Sequence, residues 1–382
     1  MRRTQVKIAL FLTLAVLVAA ATVVQASAAP DRGAARKAKL QLVLDQLVAA
    51  GAPGVIALVR EGDRTIRLTS GYANLKTKRP MRADDRFRVG SATKPFVATV
   101  VLQLVGERKL MLGDTVERWL PKLVPNGRAI TVRQLLNHTS GLFDYAEDPR
   151  VLGPKMSRIP TRVWTPRELV AMATSQAPLF PPGARWAYSN TNYFLLGLIV
   201  EAATGQPLEA QLRKRIFAPL HLRGTSFDTK PRIAGRYAHG YESVAGSGLR
   251  DVGSISPSIY WAAGAVVSTA DDLARFFREL LRGRLLRPEL LRAMRTTVAV
   301  TPDQQYGLGL YRNRAPCGGS PFWGHGGGAP GYAIEALMRQ DGRREFVVLV
   351  NTGESLPARA QEAHFRALTL ASCGSVVRPS RP

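Results

Sequence analysis

Gly90-Ser91-Ala92-Thr93-Lys94-Pro95-Phe96 decides how the rest of this chain is read. A hydroxyl stands three residues before a lysine, directly after a glycine and at the head of an apolar run. Residues at i and i+3 share a helix face, so a helix that begins near Ser91 brings the Lys94 amine to the Ser91 hydroxyl. Serine is a weak nucleophile at its free pKa, and a neighbouring base activates it. Proline is tolerated only in the first helical turn, so Pro95 fixes the helix start close to Ser91. The positive end of the helix dipole then lies near the hydroxyl.

Two further segments follow in order. Tyr188-Ser189-Asn190 comes after a Pro-Pro-Gly turn and before an apolar run, and His325-Gly326-Gly327-Gly328 precedes a strand-like run over 332–338. A Ser-x-x-Lys, then a Tyr-x-Asn, then a His-x-Gly set resembles the pattern of penicillin-recognising serine acyltransferases. This variant resembles the class C β-lactamases and, more closely, the secreted serine D-alanyl-D-alanine carboxypeptidases. Ile130-Thr131-Val132-Arg133-Gln134-Leu135-Leu136-Asn137-His138-Thr139-Ser140-Gly141-Leu142, Ala263-Gly264-Ala265-Val266 and Tyr306-Gly307-Leu308-Gly309-Leu310 are similar to the family as well. The resemblance covers roughly residues 35–375.

The resemblance implies an α/β (α+β) fold of the β-lactamase/transpeptidase type: an antiparallel sheet of five or more strands flanked by helices, with an inserted all-helical region over roughly 110–290. It implies that Ser91 is the nucleophile. Lys94 is expected beside it as a cation that lowers the Tyr188 pKa, with Tyr188 as the base and later the acid for the leaving group, although the sequence leaves open which of the two takes the proton. Asn190 is expected to hold a substrate amide and Lys94. His325 stands in place of a lysine and can donate a hydrogen bond or carry charge. The backbone N–H groups of Ser91 and Gly328 are the implied oxyanion hole, with Gly327 along the substrate.

One departure bears on substrate choice. In these carboxypeptidases hydroxyl residues flank the third motif's glycine and hold the substrate's carboxylate, assisted by an upstream arginine. Here both hydroxyl positions are glycine, Gly326 and Gly328. Tyr311 falls where the arginine aligns, and Arg312 beside it is the candidate replacement. A free C-terminal carboxylate is therefore expected to bind weakly, and esters or amides are expected to be favoured.

Periodicity places a helix over 34–50, a hairpin over 54–60 and 65–71, the helix behind the nucleophile over 96–106, helices over 165–173, 193–204, 208–216 and 269–281, a second hairpin over 332–338 and 345–352, and a closing helix over 356–371. Residues 227–260, rich in Gly, Ser and Pro, read as a long irregular excursion. Asn137-His138-Thr139-Ser140-Gly141 reads as a hydrogen-bonded turn under the site.

The chain has 382 residues and is 46% apolar, enough for a sizeable core. Arg2, Arg3 and Lys7, an apolar run over 8–24 and Ala26-Ser27-Ala28 form a secretory-signal pattern. Residues 1–28 are expected to be removed, leaving a hydrolase domain over 29–382 outside the cytoplasmic membrane; an uncleaved N-terminal anchor is the alternative. Cys317 and Cys373 can then pair in an oxidising compartment. The net charge of +25 attracts anionic polymers, and for an exported protein the nearest candidates are cell-wall polymers and anionic lipid headgroups. Scattered arginines without a nucleic-acid motif argue against nucleic acid. The five histidines show no metal-ligand spacing, so neither metal nor cofactor is expected. The resemblance implies an exported serine hydrolase that works through an acyl-enzyme on Ser91, first of all with D-alanyl-D-alanine carboxypeptidase-like activity on peptidoglycan stem peptides; a class C-like β-lactamase or an esterase is the alternative, and the rival outside catalysis is a penicillin- or wall-binding protein.

Overall fold

The computed structural model describes residues 32–151, 162–244, 248–353 and 356–374. The expected signal segment lies outside them. Among the described residues no helix is long and apolar enough to cross a membrane.

Gly54–Glu61 reads Gly-Val-Ile-Ala-Leu-Val-Arg-Glu and is buried along most of its length. Successive side chains of a strand point to opposite faces, so an apolar run of this kind needs cover on both. Val55, Ala57 and Val59 pack with the N-terminal helix Arg32–Ala49 and the C-terminal helix Ala358–Cys373, through Leu40, Leu44, Leu47, Ala363 and Ala367. Ile56 and Leu58 enter the larger core shared with the helical body.

The strand is the third from one edge of a nine-stranded sheet. In spatial order the strands are Arg79–Pro80, Arg64–Asn74, Gly54–Glu61, Arg344–Val350, Tyr332–Arg339, Phe322–Ala329, Tyr311–Asn313, Gln304–Tyr306 and Val298–Thr301. Every pairing is antiparallel. Val55 sits opposite Val350, so segments near the two ends of the chain are stitched together inside the sheet. Both anticipated hairpins are present, with turns at Gly62 and Gly342 in the left-handed region.

Most of the chain between Arg88 and Val298 forms the body on the other side of the site. Its longest helices are Lys94–Gly106, Asn190–Thr204 and Ala270–Leu281. Thr269 caps the last of these by accepting from Asp272 N. Two readings need correction. The helix expected over 208–216 is α only over Leu208–Leu212 and continues as a π turn over Arg213–Phe217. The excursion expected to be irregular contains the hairpin Tyr241–Val244 with Gly248–Asp251, whose short strands are too polar to show an alternation. Among the described residues the two cysteines form one disulfide, Cys317–Cys373, with Cα atoms 5.7 Å apart. It ties the loop before the third motif to the closing helix.

Candidate active site

The chain enters the nucleophile turn from Phe87–Arg88, which pairs with Val266–Ser268. A 3₁₀ turn over Gly90–Thr93 then runs into the α-helix Lys94–Gly106, with Pro95 in its first turn. Side chains three apart eclipse one another on a 3₁₀ turn, which is why Lys94 meets Ser91: Nζ lies 3.0 Å from Oγ. Gly90 has φ +50°, and a Cβ there would stand 2.3 Å from the carbonyl oxygen of Gly328. Only glycine lets the nucleophile turn approach the third-motif strand this closely. The same strand fits from its own side, because a Cβ on Gly327 would stand 2.0 Å from Val89 O.

Lys94 is buried. Besides Ser91, its Nζ donates to Asn190 Oδ1 at 2.8 Å and to the Ala263 carbonyl at 3.0 Å. Three acceptors suit an ammonium, yet burial pushes Lys94 down to about 7, with only the Asp144 charge acting the other way. The amine and ammonium are thus close in free energy near neutral pH. Asn190, at the start of helix Asn190–Thr204, donates its side-chain N–H to Asp144 Oδ2 at 2.8 Å. Asp144 is 8% exposed, and burial raises its pKa. Sequence reasoning missed this carboxylate. Its signal was an acidic residue between the aromatics Phe143 and Tyr145, three residues after Gly141.

Tyr188 donates to Ser91 Oγ at 2.7 Å. The sequence-based expectation that Lys94 lowers the Tyr188 pKa is reversed: burial pushes the phenol well above its ordinary value. Desolvation penalises the phenolate more than the hydrogen bond with Ser91 favours it. In the resting site both Tyr188 Oη and Lys94 Nζ donate to Ser91 Oγ.

The turn around His138 lies beneath this cluster. His138 adopts φ +60°, and its ring is 4.4 Å from that of Tyr188. Its Nδ1 accepts from Ser189 N at 3.2 Å and lies 3.1 Å from Asn192 Nδ2. The imidazole is buried, and its pKa is held well below the ordinary value by that burial.

His325 lies on Phe322–Ala329 and is 1% exposed. Its Nδ1 faces the Gly326 carbonyl, which can only accept, so Nε2 accepts from the Tyr306 hydroxyl at 3.0 Å. Burial, with Lys94 adding to it, holds His325 down to about 3. The charged form allowed by sequence is thus excluded near neutral pH. Tyr306 is a second residue that sequence reasoning left without a role.

Gly328 has nothing within 4 Å of where a Cβ would stand, so the cleft is open beside it. Arg312 is one residue from Tyr311, whose ring lies 4.9 Å from that of His325. The described hydrogen bond of its guanidinium is to Gln305 Oε1 at 3.3 Å, not to the cluster around Ser91.

Residues 40–371 match the family described as Beta-lactamase. The chain belongs to that family. It is 39% identical to a D-stereospecific amidohydrolase from Streptomyces sp., with a TM-score of 0.80 over 88% of this chain and 99% of that one. It is 29% identical to "Penicillin-binding protein 4*" of Bacillus subtilis over 79% of this chain and 68% of that protein. It is also 29% identical to a D-aminopeptidase of Brucella anthropi, over 84% of this chain and 59% of the relative. The chain therefore spans about two thirds or less of these two relatives' lengths. Together they make it a serine hydrolase of the β-lactamase and penicillin-binding family.

Proposed function

We propose that this protein is an exported acyl-transferring amidase, acting through an acyl-enzyme on Ser91 upon D-configured amides, peptide amides and esters. The carrying observation is the hydrogen-bonded series Tyr188, Ser91, Lys94, Asn190 and Asp144 beside a third motif that offers glycine where a substrate carboxylate needs hydroxyls. Likeness to a D-stereospecific amidohydrolase supports it. The basic, apolar and Ala-Ser-Ala segments of residues 2–28 support export, and the +25 charge suits work near anionic cell-wall polymers.

In this mechanism the neutral Lys94 amine takes the Ser91 proton as Oγ bonds to the substrate carbonyl carbon. The backbone N–H groups of Ser91 and Gly328 receive the oxyanion. As the C–N bond breaks, Tyr188 gives its proton to the leaving nitrogen and regains one from the Lys94 ammonium. The serine's proton thus leaves with the amine. Water then takes the amine's place and reverses the steps, releasing the acid. Asn190 and Asp144 hold Lys94, and neutral His325 with Tyr306 shapes the wall of the cleft.

A terminal carboxylate that lacks a charge-assisted hydrogen bond forgoes about 1.5–3 kcal/mol per bond, so the amidase reading is favoured over a D-alanyl-D-alanine carboxypeptidase. The test is turnover of D-phenylalanine amide, its L-enantiomer, a D-Ala-D-Ala peptide and a fluorescent penicillin by wild type and Ser91→Ala. The reading expects the D-amide to lead and Ser91→Ala to be inert. An acylated Ser91→Ala protein, seen by intact mass, sinks the nucleophile. A lasting penicillin label with the free-acid peptide ahead by about a hundredfold restores the carboxypeptidase.

A further inference from the structure

Tyr188 lies in a stretch without regular structure, residues 185–189, directly before the helix Asn190–Thr204. No ladder fixes such a stretch, so its backbone N–H groups need partners from elsewhere. One residue supplies them on both sides of the phenol. The His138 carbonyl accepts from Ala187 N at 3.0 Å, and His138 Nδ1 accepts from Ser189 N at 3.2 Å. The imidazole also lies against the Tyr188 ring, with centroids 4.4 Å apart and planes inclined by 31°. Tyr188 is thus held at the backbone before it, at the backbone after it and at its ring, all by one residue of another turn.

The hold depends on one form of the imidazole. A backbone N–H can only donate, so Nδ1 must be bare. Asn192 Nδ2 lies 3.1 Å from the same nitrogen. Asn192 Oδ1 accepts from Ser140 Oγ at 2.6 Å, which turns the N–H side of that amide toward His138. Nδ1 therefore receives two donors, and the proton of the neutral ring sits on Nε2. The backbone is committed as well. His138 has φ +60°, a left-handed conformation that few residues other than Gly, Asn, Asp and His adopt. Such a conformation persists where its surroundings over-determine it. The Tyr188 hydroxyl meets Ser91 Oγ at 2.7 Å, so a shift of the backbone over 187–189 swings the phenol off the nucleophile. A misplacement of about 1 Å can cost on the order of a hundredfold in rate.

We infer that His138 is the positioning residue for Tyr188: its carbonyl and bare Nδ1 fix the backbone on both sides of the phenol, and its ring backs the phenol ring, so that the hydroxyl meets Ser91. The inference rests on the acyl-enzyme reading for the reaction that Tyr188 serves, but its test compares His138 with Tyr188 whichever step that is. His138→Gly keeps the left-handed backbone and removes both Nδ1 and the ring. His138→Asn tolerates the same backbone and carries an acceptor, Oδ1, at the position of Nδ1. On D-phenylalanine amide, kcat/KM should fall at least about tenfold in His138→Gly and return to within roughly threefold of wild type in His138→Asn. In a Tyr188→Phe background, where no hydroxyl is left to aim, His138→Gly should cost less than about threefold. A residue that only supports the fold costs the same in both backgrounds, so equal losses overturn the inference. An Asn variant as slow as the Gly variant overturns it too. If His138→Gly does not fold, nitrogen NMR of histidine-labelled wild type decides: a bare Nδ1 upholds the hold, and a proton on Nδ1 overturns it. A wild type inert on amide and ester alike sinks the acyl-enzyme reading and leaves His138 to be judged by that spectrum.

Discussion

Asn190 donates to Asp144 at 2.8 Å while its other amide atom accepts from Lys94 at the same distance. One buried carboxylate is thus coupled, through a neutral amide, to the amine that faces the nucleophile. The coupling sets how the site responds to pH.

Asp144→Asn keeps the shape and removes the charge that favours the Lys94 ammonium. Burial already holds Lys94 down to about 7, and the Asp144 field is what opposes it. The variant's Lys94 should lose its proton at lower pH. The acid limb of kcat/KM for an ester should therefore move to lower pH. A limb that stays in place, or moves up, means that Lys94 is not the group whose deprotonation opens the reaction.

Tyr188→Phe separates proton donation from attack. A poor leaving group such as an amide nitrogen needs the phenol's proton; p-nitrophenolate does not. The amide rate should fall by about two to four orders of magnitude, the usual scale for losing a general acid–base group, and the ester rate by much less. Equal losses on both substrates would make Tyr188 the base for Ser91.

His325 is folded as a neutral imidazole with its pKa held down to about 3, against about 6.5 when unfolded. The unfolded chain therefore binds this proton first as pH falls. The stability contribution is complete above 6.5 and is lost toward 3, by up to about 1.4 kcal/mol per pH unit. His138 acts in the same direction. Glu335, pushed up to about 7, acts oppositely between there and its ordinary range. The difference in unfolding free energy between wild type and His325→Gln isolates the effect. It should shrink steadily from pH 6.5 to 5, and a flat difference would place a charge on His325 in the folded state.

Reducing the Cys317–Cys373 bond, which spans a sequence separation of 56, frees a loop whose closure is worth roughly 4 kcal/mol in the chain-entropy model. Thermal unfolding with and without reductant should differ by a large part of that. Two free thiols in non-reducing mass analysis of the protein would remove the bond altogether.

The parts legible in sequence were those that local rules control. The hairpins show apolar runs around Gly62 and Gly342, and Ser91 with Lys94 is a contact within one turn. Tyr188 and His325 became readable through the order of motifs. Asp144 and Tyr306 did not, because their places in the site come from contacts 46 and 19 residues away in the chain, which no periodicity encodes. The direction of the Tyr188 shift was misread for a related reason: a neighbouring lysine is visible in a sequence, but the depth of burial that outweighs it is not.

The pairing of Val55 with Val350 also sets a clock. At roughly 5–20 residues per second of synthesis, the buried strand Gly54–Glu61 emerges some 15–60 s before the partner that covers its second edge. During that interval an apolar strand with an open edge is exposed to any other chain nearby. Its own hairpin partner, Arg64–Asn74, protects only one side. The last third of the chain completes the sheet, so a truncation before Arg344 should release a product that aggregates rather than a smaller working enzyme.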